Sequence, residues 1–261
     1  MVRSLLVRGM LAGLIAGLLV FGFAKVFGEP QVDRAISFES AMDEAKAKEQ
    51  AAQGKSMEEE PELVSRPVQA GLGLFTGVMV YSTAFGGLFA LVFAVANGRA
   101  AQLGPRGVSA LLAAAGFVCV YLVPNLKYPA NPPSVGVPET IGYRTALYFS
   151  MMAISVAAMV VALILRSRLA TRGRAWNAAL TSAAFYLVVV VAAAVILPGI
   201  NEVPESFPAT VLWQFRVASY GMQAVMWTTF GLLFGVLAER ALSVDTRQMP
   251  ALPRGDIRFR A

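Results

Sequence analysis

The stretch LLVRGMLAGLIAGLLVFGFAKVF, residues 5–27, decides the fold, because it is long and apolar enough to cross a lipid bilayer. A helix rises about 1.5 Å per residue, so a segment of this length spans the roughly 30 Å of hydrocarbon in a membrane. Five further apolar stretches follow: 68–96, 108–123, 145–165, 178–197 and 217–238. Of these, 108–123 is short. The sequence therefore predicts an all-α integral membrane protein with six transmembrane helices.

The composition agrees with this class of protein. Hydrophobic residues make up 57% of the chain and charged residues 15%, and the mean hydropathy is +0.61. Such values are typical of membrane proteins, whose principal partner is the lipid bilayer. We interpret the first span as a retained anchor, because no clear cleavage site precedes Gly28.

The charges between the spans alternate in sign along the chain. The segments that share a side with the N-terminus hold 13 of the 22 lysines and arginines, but only three of the 16 acids. Cytoplasmic loops of membrane proteins carry an excess of Lys and Arg. We therefore expect a multi-pass protein of the cytoplasmic membrane with both termini in the cytoplasm.

Two segments, an acidic insertion and a basic tail, are expected to lie outside the membrane. Residues 1–239 form the predicted six-helix membrane domain, which carries an acidic insertion at 40–62 on its outer side. Residues 240–261 form a predicted basic cytoplasmic tail. Within the insertion, residues 41–53 favour a short solvated helix. Its glutamate cluster is either a solubilising charge run or a site of ion capture.

An internal repeat pairs the helices as three hairpins of similar orientation. The odd spans begin with RGMLA, RGVSA and RAWNA, at Arg8, Arg106 and Arg174, and two even spans begin with R-x-A-x-Y, at Arg144 and Arg216. The odd spans are expected to close outside near Pro30, Pro124 and Pro198. Repeats of two helices share one orientation in the membrane, so the pattern predicts a pseudo-threefold bundle about the membrane normal.

Several classes of activity are excluded by what the chain lacks. It contains no histidine and a single cysteine, Cys119, which excludes histidine ligation, histidine proton relays and an intrachain disulfide. No phosphate-binding loop, serine-hydrolase motif or zinc-protease motif occurs. Because the basic residues are spread over every inner loop, we expect no nucleic acid partner. The chain is predicted not to be an enzyme and to require no cofactor.

Three arginines lie at the outer ends of the even helices. Arg66, Arg144 and Arg216 could each pair with acids of the outer loops and reach the interface from the end of a helix. Alternatively, they could form a ring around an outer vestibule, which would attract anions and repel cations. The sequence leaves both interpretations open.

Carboxylate and amide groups gather after the odd helices on the outer side. Their oxygen atoms suit a divalent first-row metal ion, although solvated loop residues would give the same pattern. The candidate metal ligands are Glu29, Asp33, Glu39, Asn125, Asn131, Asn201, Glu202 and Glu205.

The sixth span is the most polar of the six and is expected to face the bundle interior, because buried polar groups in a membrane need partners. Methionines of the fourth and sixth spans could either fill the core or offer soft thioether ligands. The candidates for lining a pathway are Tyr148, Met151, Met152, Gln214, Tyr220, Met222, Gln223 and Met226.

Glycines recur at a spacing of four residues on two helices. Gly9, Gly13 and Gly17 lie on one face of the first span, and Gly73 and Gly77 repeat the spacing in the second. Such spacing permits close approach of two helices. The contact could form within the bundle or with a partner helix.

Three segments resemble the CbtA-type family of cobalt transporter subunits. They are RGMLAGLIAGLLVFGFAKVFGEPQVDRAISFE at 8–39, LVPNLKYPANPPSVGVPETIGYRTALYF at 122–149, and LPGINEVPESFPATVLWQFRVAS at 197–219. The resemblance implies a role in cobalt transport linked to cobalamin metabolism, with the cobalt ion as substrate. It also implies a partner, a small single-helix CbtB-type subunit whose histidines could supply the imidazoles that this chain lacks. The candidate ligands above are carried over only as motif positions.

Two functional hypotheses follow. In the first, the chain is a permease subunit that moves divalent cobalt across the cytoplasmic membrane, with outer acids and amides collecting the ion and the sixth helix lining its path. In the second, it is a non-transporting accessory or scaffold subunit of a larger membrane complex with other membrane subunits. A polar cavity that reaches the membrane interior would favour the first hypothesis, and a dry, fully packed axis the second.

Overall fold

The computed structural model describes residues 1–52, 64–99, 103–133, 135–170 and 175–248. Part of the predicted acidic insertion, including Glu58, Glu59, Glu60 and Glu62, lies outside the described residues. So does most of the predicted basic tail, from residue 249 onward.

Six helices, each long and apolar enough to cross a membrane, make up the described fold, which contains no strand in these ranges. The prediction of an all-α chain with six spans is confirmed. The third span, which is short by sequence, is extended by a turn at each end. The helices are α1 (Val2–Ala52), α2 (Arg66–Ala96), α3 (Pro105–Lys127), α4 (Pro138–Ala170), α5 (Ala175–Ile196) and α6 (Ala209–Ser243).

Helix α1 does not end near Pro30, so this prediction is wrong. Proline lacks an N–H group, and its ring clashes with the preceding turn of an α-helix. Here a π-helical turn at Ala24–Gly28 precedes the proline, and the Glu29 N–H donates to the Ala24 carbonyl, five residues back. The wider turn makes room for the ring, and the helix continues to Ala52.

The helices pack in an order that differs from their order in the chain. Helix α1 packs against α2 and α6, α3 packs against α6 and α4, and α5 packs against α4. Aromatic rings fill the centre of the group formed by α1, α2, α3 and α6, where Phe93, Phe230 and Phe234 are fully buried. A second apolar cluster joins α4 to α5 around Met151 and Tyr186.

The predicted third hairpin is not a closely packed pair in the described residues, because α5 lies along α4 and makes no extensive contact with α6. The first two hairpins, α1–α2 and α3–α4, do pack along each other. The pseudo-threefold repeat therefore stays a prediction.

The helix pairs named above run antiparallel, and the two ends of the bundle differ in the charges that they carry. One end, called the acidic end, carries residues 24–52, 64–69, 123–133, 135–145 and 197–216. The other, called the arginine-rich end, carries the start of α1 and the end of α6, where Arg106 pairs with Glu239 at 2.6 Å. The acidic end is the predicted outer side.

Candidate functional site

A cavity of about 610 Å³, called the outer cavity, lies at the acidic end between α3, α4 and α6. The loops before α4 and α6 complete its wall, and Asn201 on its rim is exposed. Its polar lining is dominated by groups that can donate hydrogen bonds. The polar side chains are Tyr121, Asn125, Tyr128, Asn131, Arg144, Thr145, Tyr148, Asn201, Glu202 and Arg216.

Arg144 begins the membrane-spanning part of α4 and pairs with Glu202. Its Nε lies 3.3 Å from Glu202 Oε2 but makes no hydrogen bond, so the contact is electrostatic. Its Nη2 donates to the Val137 carbonyl at 3.3 Å. Gly136 has a φ of +119°, and a Cβ atom there would overlap the Arg144 guanidinium. A glycine at this position therefore lets the arginine lie against the loop.

Arg216, on α6, fixes the loop that follows α3. Its Nε donates to the Ala130 carbonyl at 3.2 Å, and its Nη2 donates to Asn131 Oδ1 at 2.8 Å. The same loop is held from the other side, because the Ala130 N–H donates to Asn125 Oδ1 at 3.0 Å. The two asparagine carbonyl oxygens are thus already engaged by the protein.

Asn125 is 2% exposed, and its Nδ2 has no hydrogen-bond partner in the described part of the chain. A buried donor without a partner costs about 1–3 kcal/mol. Since Asn125 lines the outer cavity, an acceptor atom bound in the cavity would remove that cost.

Glu202 is the one predicted acidic ligand that lines the outer cavity. Its Oε2 accepts a hydrogen bond from the Val137 N–H at 2.8 Å. Hydrogen bonding by Thr140 and by Val137, together with the charge of Arg144, lowers the pKa of Glu202 below its usual value. The carboxylate is therefore ionised and committed to protein donors.

Arg66 holds a separate acidic site away from the outer cavity. Its Nη2 lies 2.6 Å from Glu29 Oε2 and 2.8 Å from Asp33 Oδ1, and its Nε donates to Asp33 at 3.0 Å. Arg66 does not line the outer cavity, whereas Arg144 and Arg216 do. Two of the three arginines of the predicted ring therefore line one cavity, and the third does not.

The remaining candidate ligands are dispersed along the acidic end. Glu39 and Glu205 are exposed, and Asn201 Oδ1 accepts the Val203 N–H at 3.4 Å. Among the residues that the structure describes, no three Asp, Glu, Cys or His side chains come together as a metal site. The metal-binding role of these residues stays a prediction.

A second cavity, of about 280 Å³, lies among α1, α2 and α6 and is called the intramembrane cavity. Three predicted pathway residues of α6 line it: Met222, Gln223 and Met226. Ser82 also lines it, and the Ser82 Oγ is buried without a hydrogen-bond partner in the described ranges. The cavity therefore offers thioether, amide and hydroxyl groups to a ligand inside the membrane.

A layer of tyrosines separates the two cavities. The Tyr121 and Ser219 hydroxyl oxygens are 2.7 Å apart, and the Tyr121 and Tyr220 rings meet edge to face with centroids 5.4 Å apart. On α6, Arg216 and Gln223 are two helical turns apart and share one face, with this layer between them. Helix α6 thus lines both cavities, and Arg216 and Gln223 are about 10 Å apart along its axis.

The comparisons with known proteins identify the family. A family model described as "Probable cobalt transporter subunit (CbtA)" matches residues 2–239. The chain belongs to the CbtA family. The resemblance of the three sequence motifs to this family is confirmed, and a transporter subunit is not a class of enzyme. No curated protein and no solved structure matches the chain.

In this CbtA-family chain, the other predicted pathway residues fall into different surroundings. Tyr148 lines the outer cavity, and Tyr220 belongs to the separating layer. Met151 is 1% exposed and packs in the cluster between α4 and α5. Met152, its neighbour on α4, lines neither cavity, and Gln214 accepts a hydrogen bond from Arg34 at 2.8 Å.

Sequence reasoning missed five polar residues that line the cavities of this CbtA-family chain: Tyr81, Ser82, Tyr121, Tyr128 and Thr145. A signal for one of them was available. Tyr121 precedes Asn125 by four residues, so the two lie on the same face of α3. Tyr81 and Ser82 sit in the apolar second span, where no motif marks them.

Proposed function

We propose that this CbtA-family chain is the permease subunit of a divalent cobalt transporter in the cytoplasmic membrane, with both termini in the cytoplasm. The observation that carries the proposal is that α6 lines two cavities, with Arg216 at the outer cavity and Gln223 at the intramembrane cavity. Transporter sites lie inside the membrane between helices that can rearrange. Cobalt would pass from the outer cavity, through the tyrosine layer, to the intramembrane cavity.

The intramembrane cavity has donor atoms for a first-row metal ion. Ser82 Oγ and Gln223 Oε1, which also accepts a hydrogen bond from Trp227 Nε1 at 3.2 Å, offer oxygen atoms. Met222 and Met226 offer thioether sulfurs. Oxygen ligands suit divalent cobalt better than thioethers do, so Gln223 and Ser82 would bind the ion and the methionines would shape the wall. Two uncharged oxygen ligands bind an ion weakly, which is appropriate for a site that must release its ion again.

The path towards the arginine-rich end is closed by aromatic packing. The Phe89 ring packs edge to face against Phe234, with centroids 5.4 Å apart, and Phe93 packs against Phe234 at 5.1 Å. Helix α6 has a π-helical turn at Phe230–Phe234 within this cluster. Such turns are frequent at functional sites, and a change at this turn would open the path to the cytoplasm.

The chain would work with a histidine-bearing partner. It contains no histidine, and a CbtA protein is by family description a subunit. A small single-helix subunit of the CbtB type would supply imidazole ligands at the outer cavity. The family resemblance also implies a link between this transporter and cobalamin metabolism.

Cobalt uptake into vesicles that contain the purified chain, with and without such a partner, tests the proposal. We expect Gln223→Met to lower the initial rate about tenfold, which corresponds to about 1.4 kcal/mol of lost binding in the path. Met151→Leu is the matched control, because Met151 is buried between α4 and α5, away from both cavities.

An unchanged rate in Gln223→Met would show that the intramembrane cavity is not on the path. Absence of uptake even with the histidine-bearing partner would favour the alternative, an accessory or scaffold subunit of a larger membrane complex. Helix α5 would then be its docking element, because α5 packs mainly against α4 in the described part of the chain.

A further inference from the structure

We infer that the outer cavity binds a small anion with several carboxylate groups, and that cobalt reaches the protein as the complex of such an anion. The anion site stands on the geometry of the cavity, whereas the part that concerns cobalt rests on the proposed function. The inference changes the expected ligand of the outer face from a hydrated dication to an oxygen-rich anion.

The charge of the lining favours an anion. Arg144 and Arg216 line the cavity, and Glu202 is the single acid among the lining residues. Glu202 is held by Arg144 at 3.3 Å and by the Val137 N–H at 2.8 Å, so its charge is already compensated. The lining carries a net positive charge, which repels a free dication and attracts an anion.

The hydrogen-bond donors and acceptors of the outer cavity also favour an anion. Asn125 Oδ1 and Asn131 Oδ1 accept hydrogen bonds from Ala130 and Arg216, so the amide acceptors at the cavity are used. Among the residues that line this cavity, two buried donors have no hydrogen-bond partner in the described part of the chain, Asn125 Nδ2 and Arg144 Nε. A site whose amide oxygens already accept hydrogen bonds and whose buried unpartnered atoms are donors fits a ligand made of acceptor atoms.

The shape of the donors and the size of the cavity define the class of anion. The Nε and Nη2 groups of both arginines already face protein acceptors, so a carboxylate of the ligand would meet their Nη1 groups with charge-assisted hydrogen bonds. The volume of about 610 Å³ lies within the range of pockets that hold small organic molecules. Carboxylate oxygens also bind divalent first-row ions, so a polycarboxylate can bind the cavity with one group and cobalt with others.

Binding to the full-length chain in detergent, measured by titration calorimetry, tests the inference directly. The probes are citrate alone, citrate with an equal amount of Co²⁺, Co²⁺ alone, and inorganic phosphate. We expect citrate and its cobalt complex to bind, and to bind at least tenfold more tightly than phosphate or free Co²⁺.

Asn125→Asp gives the sharpest variant, because it keeps the Oδ1 acceptor for Ala130 and replaces the unpartnered donor with a negatively charged oxygen. Citrate affinity should fall at least tenfold, whereas a cation site would gain affinity for Co²⁺. Arg216→Gln should also weaken citrate binding at least tenfold, and Arg216→Lys less. Arg34→Gln is the control, since it removes a positive charge from the acidic end without touching the cavity.

Each result distinguishes the inference from the proposed function. If citrate does not bind, or if Asn125→Asp leaves its affinity unchanged, the anion site is wrong even where cobalt uptake proceeds. If phosphate binds as tightly as citrate, the polycarboxylate class is wrong. If citrate binds but its cobalt complex does not, the cobalt part is overturned. Citrate binding without any cobalt uptake would leave the anion site standing and overturn the transport proposal.

Discussion

At the scale of single residues, three arginines carry the electrostatics of the acidic end. Arg66 binds Glu29 and Asp33, Arg144 binds Glu202, and Arg216 binds the loop after α3. Arg66 and Arg144 pair with acids, Arg144 and Arg216 line the outer cavity, and the ring of three arginines stays a prediction. Arg144 does both at once, because Glu202 compensates only part of the positive charge at the outer cavity.

The pKa of Glu202 gives a prediction about pH. Because folding lowers this pKa, the contribution of Glu202 to stability is present above its unfolded value near 4.5 and is lost as the pH falls through the lower folded value. We expect Glu202→Gln to lower the Tm in detergent by a few degrees at pH 7, with the difference shrinking below pH 4.5.

Glu205→Gln serves as the control for this experiment, because Glu205 is exposed on the same loop. Its Tm should follow that of the unmodified chain at every pH. A difference for Glu202→Gln that grows on acidification would contradict the assignment of the ion pair.

At the scale of elements, small residues determine how close α1 and α2 come. A Cβ atom on Gly9 would overlap the Gly86 carbonyl oxygen and Ala90, and one on Gly13 would meet the backbone of Thr83 at 2.8 Å. The repeated glycines of α1 therefore pack within the bundle. The glycine of α2 that they contact is Gly86. A Cβ atom added to Gly77 would have no neighbour within 4 Å.

Gly9→Ala should destabilise the bundle by about 1–3 kcal/mol, because the added methyl group forces two backbones apart. Gly22→Ala, in the same helix, should be neutral or stabilising by up to about 1 kcal/mol, since a Cβ there meets nothing within 4 Å and alanine favours the helix. Unfolding in detergent measures both variants. Equal stability of the two variants would refute the close contact.

At the scale of the whole molecule, the bundle consists of two groups of packed helices. Helices α1, α2, α3 and α6 share the aromatic core, and α4 attaches α5 to their side. Both cavities contact α6, which the sequence singles out as the most polar span. We expect α6 to be the moving element in transport and the α4–α5 pair to be a support.

The orientation of the whole chain in the membrane can be tested with cysteine labelling. In a Cys119→Ala background, Ser206→Cys should react with a membrane-impermeant maleimide in intact cells, because Ser206 lies on an exposed loop of the acidic end. Ser167→Cys, exposed near the end of α4, should react only after the membrane is permeabilised. The opposite pattern would invert the predicted topology.

The sequence by itself determined the six spans, their antiparallel order and the separation of acidic and arginine-rich ends. These features depend on the length of apolar runs and on local charge, which each segment carries on its own. It also indicated α6 as the polar helix and contained the family motifs. The sequence did not predict that α1 continues beyond Pro30, because the π-helical turn at Ala24–Gly28 has no sequence signature.

Only the tertiary structure decided which arginine meets which partner and where the cavities lie. Arg144 and Glu202, or Asn131 and Arg216, come from segments that are far apart in the chain, and no local pattern encodes such a contact. The packing of α5 on α4 instead of α6 has the same origin. Side-chain fit between distant segments selects it, whereas hydrophobic length and charge select only the spans.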